Sequence, residues 1–86
     1  MLRTAQIRAA RALLGWRQEE LSKAAGVGAA TIHRIEKGSG PVLGNVSTVL
    51  KIQEAFEQAG IQFIDEDESG GFGLRMAKKK TGDEMD

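Results

Sequence analysis

The stretch QEELSKAAGVGAATIHRIEK, Gln18 to Lys37, decides how this chain is read. Its first half is rich in helix formers, carries acids in its first turn and places Leu21, Ala24 and Ala25 on one stripe, which predicts a helix over about residues 17–25. Gly26 stops that helix where the chain must turn at once, a position that favours left-handed backbone. Val27 is apolar directly after it, as expected of a turn that dips back into a core. A second short helix follows over about residues 29–37 and is stopped by Gly38. Ile32 and Ile35 share one face of it, while Ala30, His33, Arg34 and Lys37 look elsewhere. Ser22, small and mid-helix, lets the second helix approach the first, so Leu21, Ala25, Val27, Ile32 and Ile35 form the expected buried set.

Two short helices meeting at a sharp turn make helix-turn-helix geometry, in which the second helix projects into a DNA major groove. Upstream, Ile7, Ala10 and Leu14 recur at helical spacing, predicting a helix over residues 4–14 with Thr4 as N-cap and Gly15 as C-cap. Downstream, the glycine-rich GSGPVLG is a loop. A fourth helix is expected over about residues 46–59, capped by Asn45 and ended by Gly60, with Val46, Val49, Leu50, Ile52 and Phe56 as a broad apolar face. The period then changes. IQFI and GLRM each alternate, with Ile61 and Phe63 on one face of the first and Leu74 and Met76 on one face of the second. The acidic, glycine-rich DEDESGGF between them completes a β-hairpin whose charged tip faces solvent. The expectation is a mainly α fold, four helices plus a short C-terminal hairpin: a DNA-binding unit over residues 1–60, the hairpin over 61–76 and a disordered tail over 77–86.

Composition narrows the function. Eighty-six residues suit one domain, near the size at which a single core becomes marginal. Without cysteine there is no disulfide or thiolate metal site, and a single histidine excludes the usual multi-histidine zinc sites. No apolar run approaches the length of a membrane span, and the arginine-studded N-terminus does not read as a signal peptide, so a soluble cytoplasmic protein is expected, with no membrane partner. Net charge is zero but unevenly placed. Residues 1–40 hold seven Lys/Arg against three Glu, a net of +4, and residues 41–86 hold five Lys/Arg against nine Asp/Glu, a net of −4. A charged interaction face in the first half follows. No serine has a His/Asp partner set and the acids cluster in one loop, so no enzyme activity and no cofactor are expected. Neither GSGPVLG nor GGFG sits in a strand-to-helix turn with a suitable lysine, so neither is a phosphate loop. Trp16, at a helix junction, is expected to be half-buried packing.

The joint pattern RQEELSKAAGV followed by ATIHRIEKG resembles the lambda-repressor-like, Cro-type helix-turn-helix regulators, the xenobiotic-response-element family, over about residues 4–60. The resemblance implies base contacts from Ala29, Ala30, Thr31, His33 and Arg34, with Arg34 the best candidate for a bidentate contact to guanine. It implies a phosphate contact at Gln18, at a helix N-terminus whose N–H groups suit an anion. Arg17, Lys37 and Ser39 are further phosphate candidates. Relatives commonly place Ser or Thr where this chain has Arg17 and Gly28, both N-cap positions, and polar base-readers where it has Ala29 and Ala30. Arg17 is a poor cap but adds a cation, and alanine can pack on a thymine methyl. The expected function is sequence-specific binding to double-stranded DNA and transcriptional regulation, as a homodimer on an inverted repeat, with Ile61, Phe63, Ile64, Leu74 and Met76 at the dimer interface. The alternative is an antitoxin or antiactivator that keeps the scaffold and sequesters a regulatory protein partner through its apolar, acidic second half.

Overall fold

A computed structural model describes residues 2–78 of the chain; the expected tail residues 79–86 lie outside the described residues. Four helices, α1 (Thr4–Leu14), α2 (Gln18–Ala25), α3 (Ala29–Glu36) and α4 (Val46–Gln58), precede strands β1 (Ile61–Ile64) and β2 (Gly73–Met76). The strands pair antiparallel with Ile61 opposite Met76 and Phe63 opposite Leu74. Ile61, Phe63, Leu74 and Met76 therefore share one face of the hairpin.

The core is built from one stripe of each helix. Ile7 and Ala10 of α1, Leu21 of α2, Ile32 of α3, and Ile52, Ala55 and Phe56 of α4 are buried together with Leu2, Val42 and Ile61. Ala25, Val27 and Ile35 pack half-buried against them, so the set expected around the sharp turn is the one the fold closes. Three aromatic rings run through this core. Trp16, half-buried between α1 and α2, stacks on Phe56 at 5.7 Å between centroids, and Phe63 meets the same ring edge-on at 5.9 Å. The hairpin is thereby seated on α4 and α1 of its own chain.

Several boundaries differ from the sequence expectation. The N-cap of α1 is Arg3, and Thr4 is the first helical residue, buried rather than capping. An arginine side chain has no acceptor; instead Gln6 at N3 reaches back, its carboxamide oxygen accepting from the Arg3 N–H at 2.9 Å. Helix α2 repeats this device, with Glu20 accepting from the N–H of its N-cap Arg17 at 2.8 Å. Helix α3 ends one residue early, on a right-handed Lys37. Helix α4 stops at Gln58, and its apolar face is narrower than expected: Val46 is 72% exposed and Leu50 is exposed too. Gly15, Gly26 and Asn45 cap as expected, the last through its side-chain oxygen to Ser47 N–H.

Candidate nucleic-acid interface

The turn between α2 and α3 is held by its own short-range bonds. Gly26 adopts φ 68°, and its N–H donates to Ser22 O at 2.9 Å. A Cβ there would meet nothing within 4 Å, so glycine is required for its backbone angle and not for space. Val27 N–H also donates to Ser22 O, and the Ser22 hydroxyl donates to Val27 O, closing the turn from both sides.

Behind α3 lies a buried ion pair. Glu36, in the last turn of α3, accepts two bonds from the Arg11 guanidinium, Nε to Oε2 and Nη2 to Oε1, each at 2.7 Å. This bidentate contact holds the Arg11 pKa above its ordinary value, chiefly through the hydrogen bonds to Glu36. Arg11 also donates to Trp16 O at 3.1 Å, and Arg8 donates to the Glu36 carbonyl. Two cations of α1 thus meet the C-terminal end of α3, where the helix dipole favours positive charge. Gln18 joins the cluster, its Nε2 donating to Glu36 Oε1 at 3.3 Å.

With its inner face fixed, α3 presents the other. Ala29, Ala30, His33 and Arg34 are exposed, and Thr31 is half-buried with its hydroxyl 3.5 Å from Arg34 Nη2. Lys37 and Ser39 are exposed just beyond the helix, Arg17 is exposed at the N-cap of α2, and Gln18 is half-buried beside it. One N–H of the Gln18 carboxamide is engaged by Glu36, leaving its second for another acceptor. The hairpin residues are placed differently. Ile61 is closed into the chain's own core and Phe63 packs on Phe56, while Ile64 and Leu74 are half-buried and Met76 is 46% exposed.

Sequence reading missed Arg11, Glu36 and Gln6. Glu36 lies four residues after Ile32 and so shares its stripe; helical phase alone pointed it inward. Gln6 likewise precedes Ala10 by one turn. Neither stands out in the sequence, because polar residues are ordinarily exposed.

The helix-turn-helix family model matches residues 7–58, which spans most of α1 and all of α2, α3 and α4. The chain belongs to this family. A search of curated proteins finds no match. As a helix-turn-helix protein of the lambda-repressor-like, Cro-type group, the chain carries a DNA-binding regulator's fold, with α3 in the place of the projecting helix. The hairpin falls outside the matched span. Among the described residues no helix is long and apolar enough to cross a membrane.

Proposed function

We propose that this protein is a cytoplasmic transcriptional regulator of the xenobiotic-response-element type that binds a specific double-stranded DNA operator with α3 in the major groove. The observation that carries the reading is the contrast between the two faces of α3. Ile32 and Glu36 lock one face into the core, and the other offers Ala29, Ala30, His33 and Arg34 to solvent. Arg34 reads a guanine edge through its fork of donors, and His33 contacts a neighbouring base. Ala29, Ala30 and Thr31, at the tip, pack on bases and thymine methyls. Gln18 uses its free amide proton and the α2 N-terminus on a phosphate, while Arg17, Lys37 and Ser39 hold phosphates to either side.

The operator is an inverted repeat bound by a homodimer. Support comes from α1 and β2: Ala9, Ala12, Leu13 and Leu74 line an open apolar surface, and Leu13 is 51% exposed. The test of the function is selection of bound duplexes from a random pool. Enrichment of one motif, with affinity that falls steeply as salt rises, is the expected result. No enrichment, together with salt-insensitive capture of a partner protein, turns the reading to an antitoxin or antiactivator.

A further inference from the structure

Leu43 is 83% exposed, the highest value among the large exposed apolar side chains of the described residues. It directly follows a pinned stretch of chain. The segment from Gly40 to Val42 is pinned to the N-terminus: Thr4 N–H donates to Gly40 O and Val42 N–H to Leu2 O, both at 2.9 Å, and Arg3 bridges antiparallel to Pro41. Val42 is buried, so in this extended run its neighbours Pro41 and Leu43 are turned outward. Gly40 at φ 76° and Gly44 at φ 147° bend the chain at either end of the displayed segment. Leu43 then lines, with Arg34, Ile35, Ser39 and Pro41, a groove of about 310 Å³. Leu43 thus borders the same groove as Arg34 and Ser39.

We infer that Leu43 packs against a deoxyribose of the DNA strand flanking the bases read by α3. The inference rests on the DNA-binding reading above. Duplex DNA offers two apolar groups to such a side chain, the thymine methyl in the major groove and the sugar along the backbone. Leu43 belongs to the loop after the C-terminal end of α3, the end that carries Lys37 and Ser39, and a helix entering the groove by its N-terminus leaves that end at the backbone. The exposed leucine adds affinity without adding charge, because its burial removes apolar surface from water.

The experiment compares the full chain with Leu43→Ala and Leu43→Lys on the selected duplex at several salt concentrations, with hydroxyl-radical cleavage to read sugar exposure. Leu43→Ala is expected to weaken binding about five- to tenfold at every salt, with a parallel salt slope, unchanged melting and lost sugar protection beside the α3 site. Leu43→Lys is expected to steepen the slope by about one unit, as a cation placed over a phosphate does. Unchanged affinity and footprint in Leu43→Ala overturn the inference while the wild type still binds. So does a loss that disappears when thymines are replaced by uracil, which assigns the contact to a methyl group, or a change in the mass of the free protein, which assigns Leu43 to a second copy. A wild type that binds no duplex overturns this inference and the DNA reading together.

Discussion

Arg11→Ala leaves the Glu36 carboxylate inside the protein without its counter-ion, the costly way to break a buried pair. The expected loss is about 3 kcal/mol in urea unfolding, toward the low end for such pairs because the Arg11 side chain keeps 20% of its surface in water. Replacing both partners together, Arg11→Met with Glu36→Leu, recovers most of that loss, since no charge is then stranded. A double variant as unstable as the single one would show that the pair's geometry, not its charge balance, sets the position of α3. Residues on the other face of α3 have no such role in stability, so Arg34→Ala leaves melting unchanged. On DNA it is expected to cost about 1–3 kcal/mol of preference for the selected site over a scrambled one. Arg17→Ala weakens both duplexes equally and flattens the salt slope. Equal losses for Arg34→Ala on both duplexes would reduce it to a phosphate contact. At this scale the sequence separated the faces correctly for Ile32, His33 and Arg34, because an apolar residue announces its own burial. Helical phase put Glu36 on the Ile32 stripe, but its counter-ion is an arginine of α1, two helices back, that only the fold brings within 2.7 Å.

Between elements, two small devices fix the angles that matter. The first is the turn of α2 into α3. Gly26→Ala meets no steric obstacle but must hold φ 68°, so about 1–2 kcal/mol of destabilisation is expected from backbone strain alone. If melting were unchanged, the turn would be shown to relax to another conformation. The second device is Gln6, buried in α1, whose oxygen accepts from Arg3 N–H while its Nε2 donates to Ile64 O at 3.3 Å and Gly73 O at 2.8 Å. One carboxamide joins the start of α1 to the closing pair of the hairpin. Gln6→Leu removes all three bonds, leaves the Arg3 N–H without its acceptor, and is expected to cost about 1–3 kcal/mol, with amide exchange quickening in β1 and β2 before it does in α2 and α3. Uniform quickening would mean that the hairpin is not a separable unit. The elements themselves were legible because their signals are local: Gly15 and Gly26 at helix ends, Asn45 at a helix start, alternation in IQFI. The surplus on α4 was not. Val46 and Leu50 have the periodicity of a core face, but the facing helices reach only as far as Val49, Ile52 and Phe56, and periodicity carries no information about where a neighbour ends.

Across the whole molecule the charge asymmetry acquires a location. The arginines and lysines of residues 1–40 sit on α1, α2 and α3 or at their caps, in the unit that carries the exposed α3 face, while the acids of residues 65–68 lie at the hairpin tip. The hairpin bears on the proposed dimer through its edge rather than its inner face. Ala77 N–H donates to Gly60 O, so Gly60–Ala77, Gln62–Arg75 and Ile64–Gly73 are the hydrogen-bonded pairs of the ladder. The backbone groups of Leu74 and Met76 therefore point away from β1, and among the described residues no strand pairs with that edge, which is a ready template for one. Alongside that strand lie Ala9, Ala12 and Leu13 of α1, an outward helix face with no charge on those three positions. Two copies joined about a twofold axis would pair β2 with β2 and bring the two Leu13 faces together, the self-complementary contact that an isologous dimer requires. It would also hold the two α3 helices at one fixed separation, about 34 Å for successive major grooves, so half-sites in the selected DNA should lie one helical turn apart. Phe63 is unsuited to testing this, since it packs on Phe56 inside its own chain. Leu13→Glu and Met76→Glu alter only exposed positions and should preserve melting while halving the mass in sedimentation equilibrium at about 50 µM, a concentration that populates dimers of low-micromolar Kd. The same variants should bind a single half-site as well as the wild type but lose the gain that the full repeat provides. A wild-type monomer at that concentration, or variants that keep the dimer mass, would place the interface elsewhere or remove it.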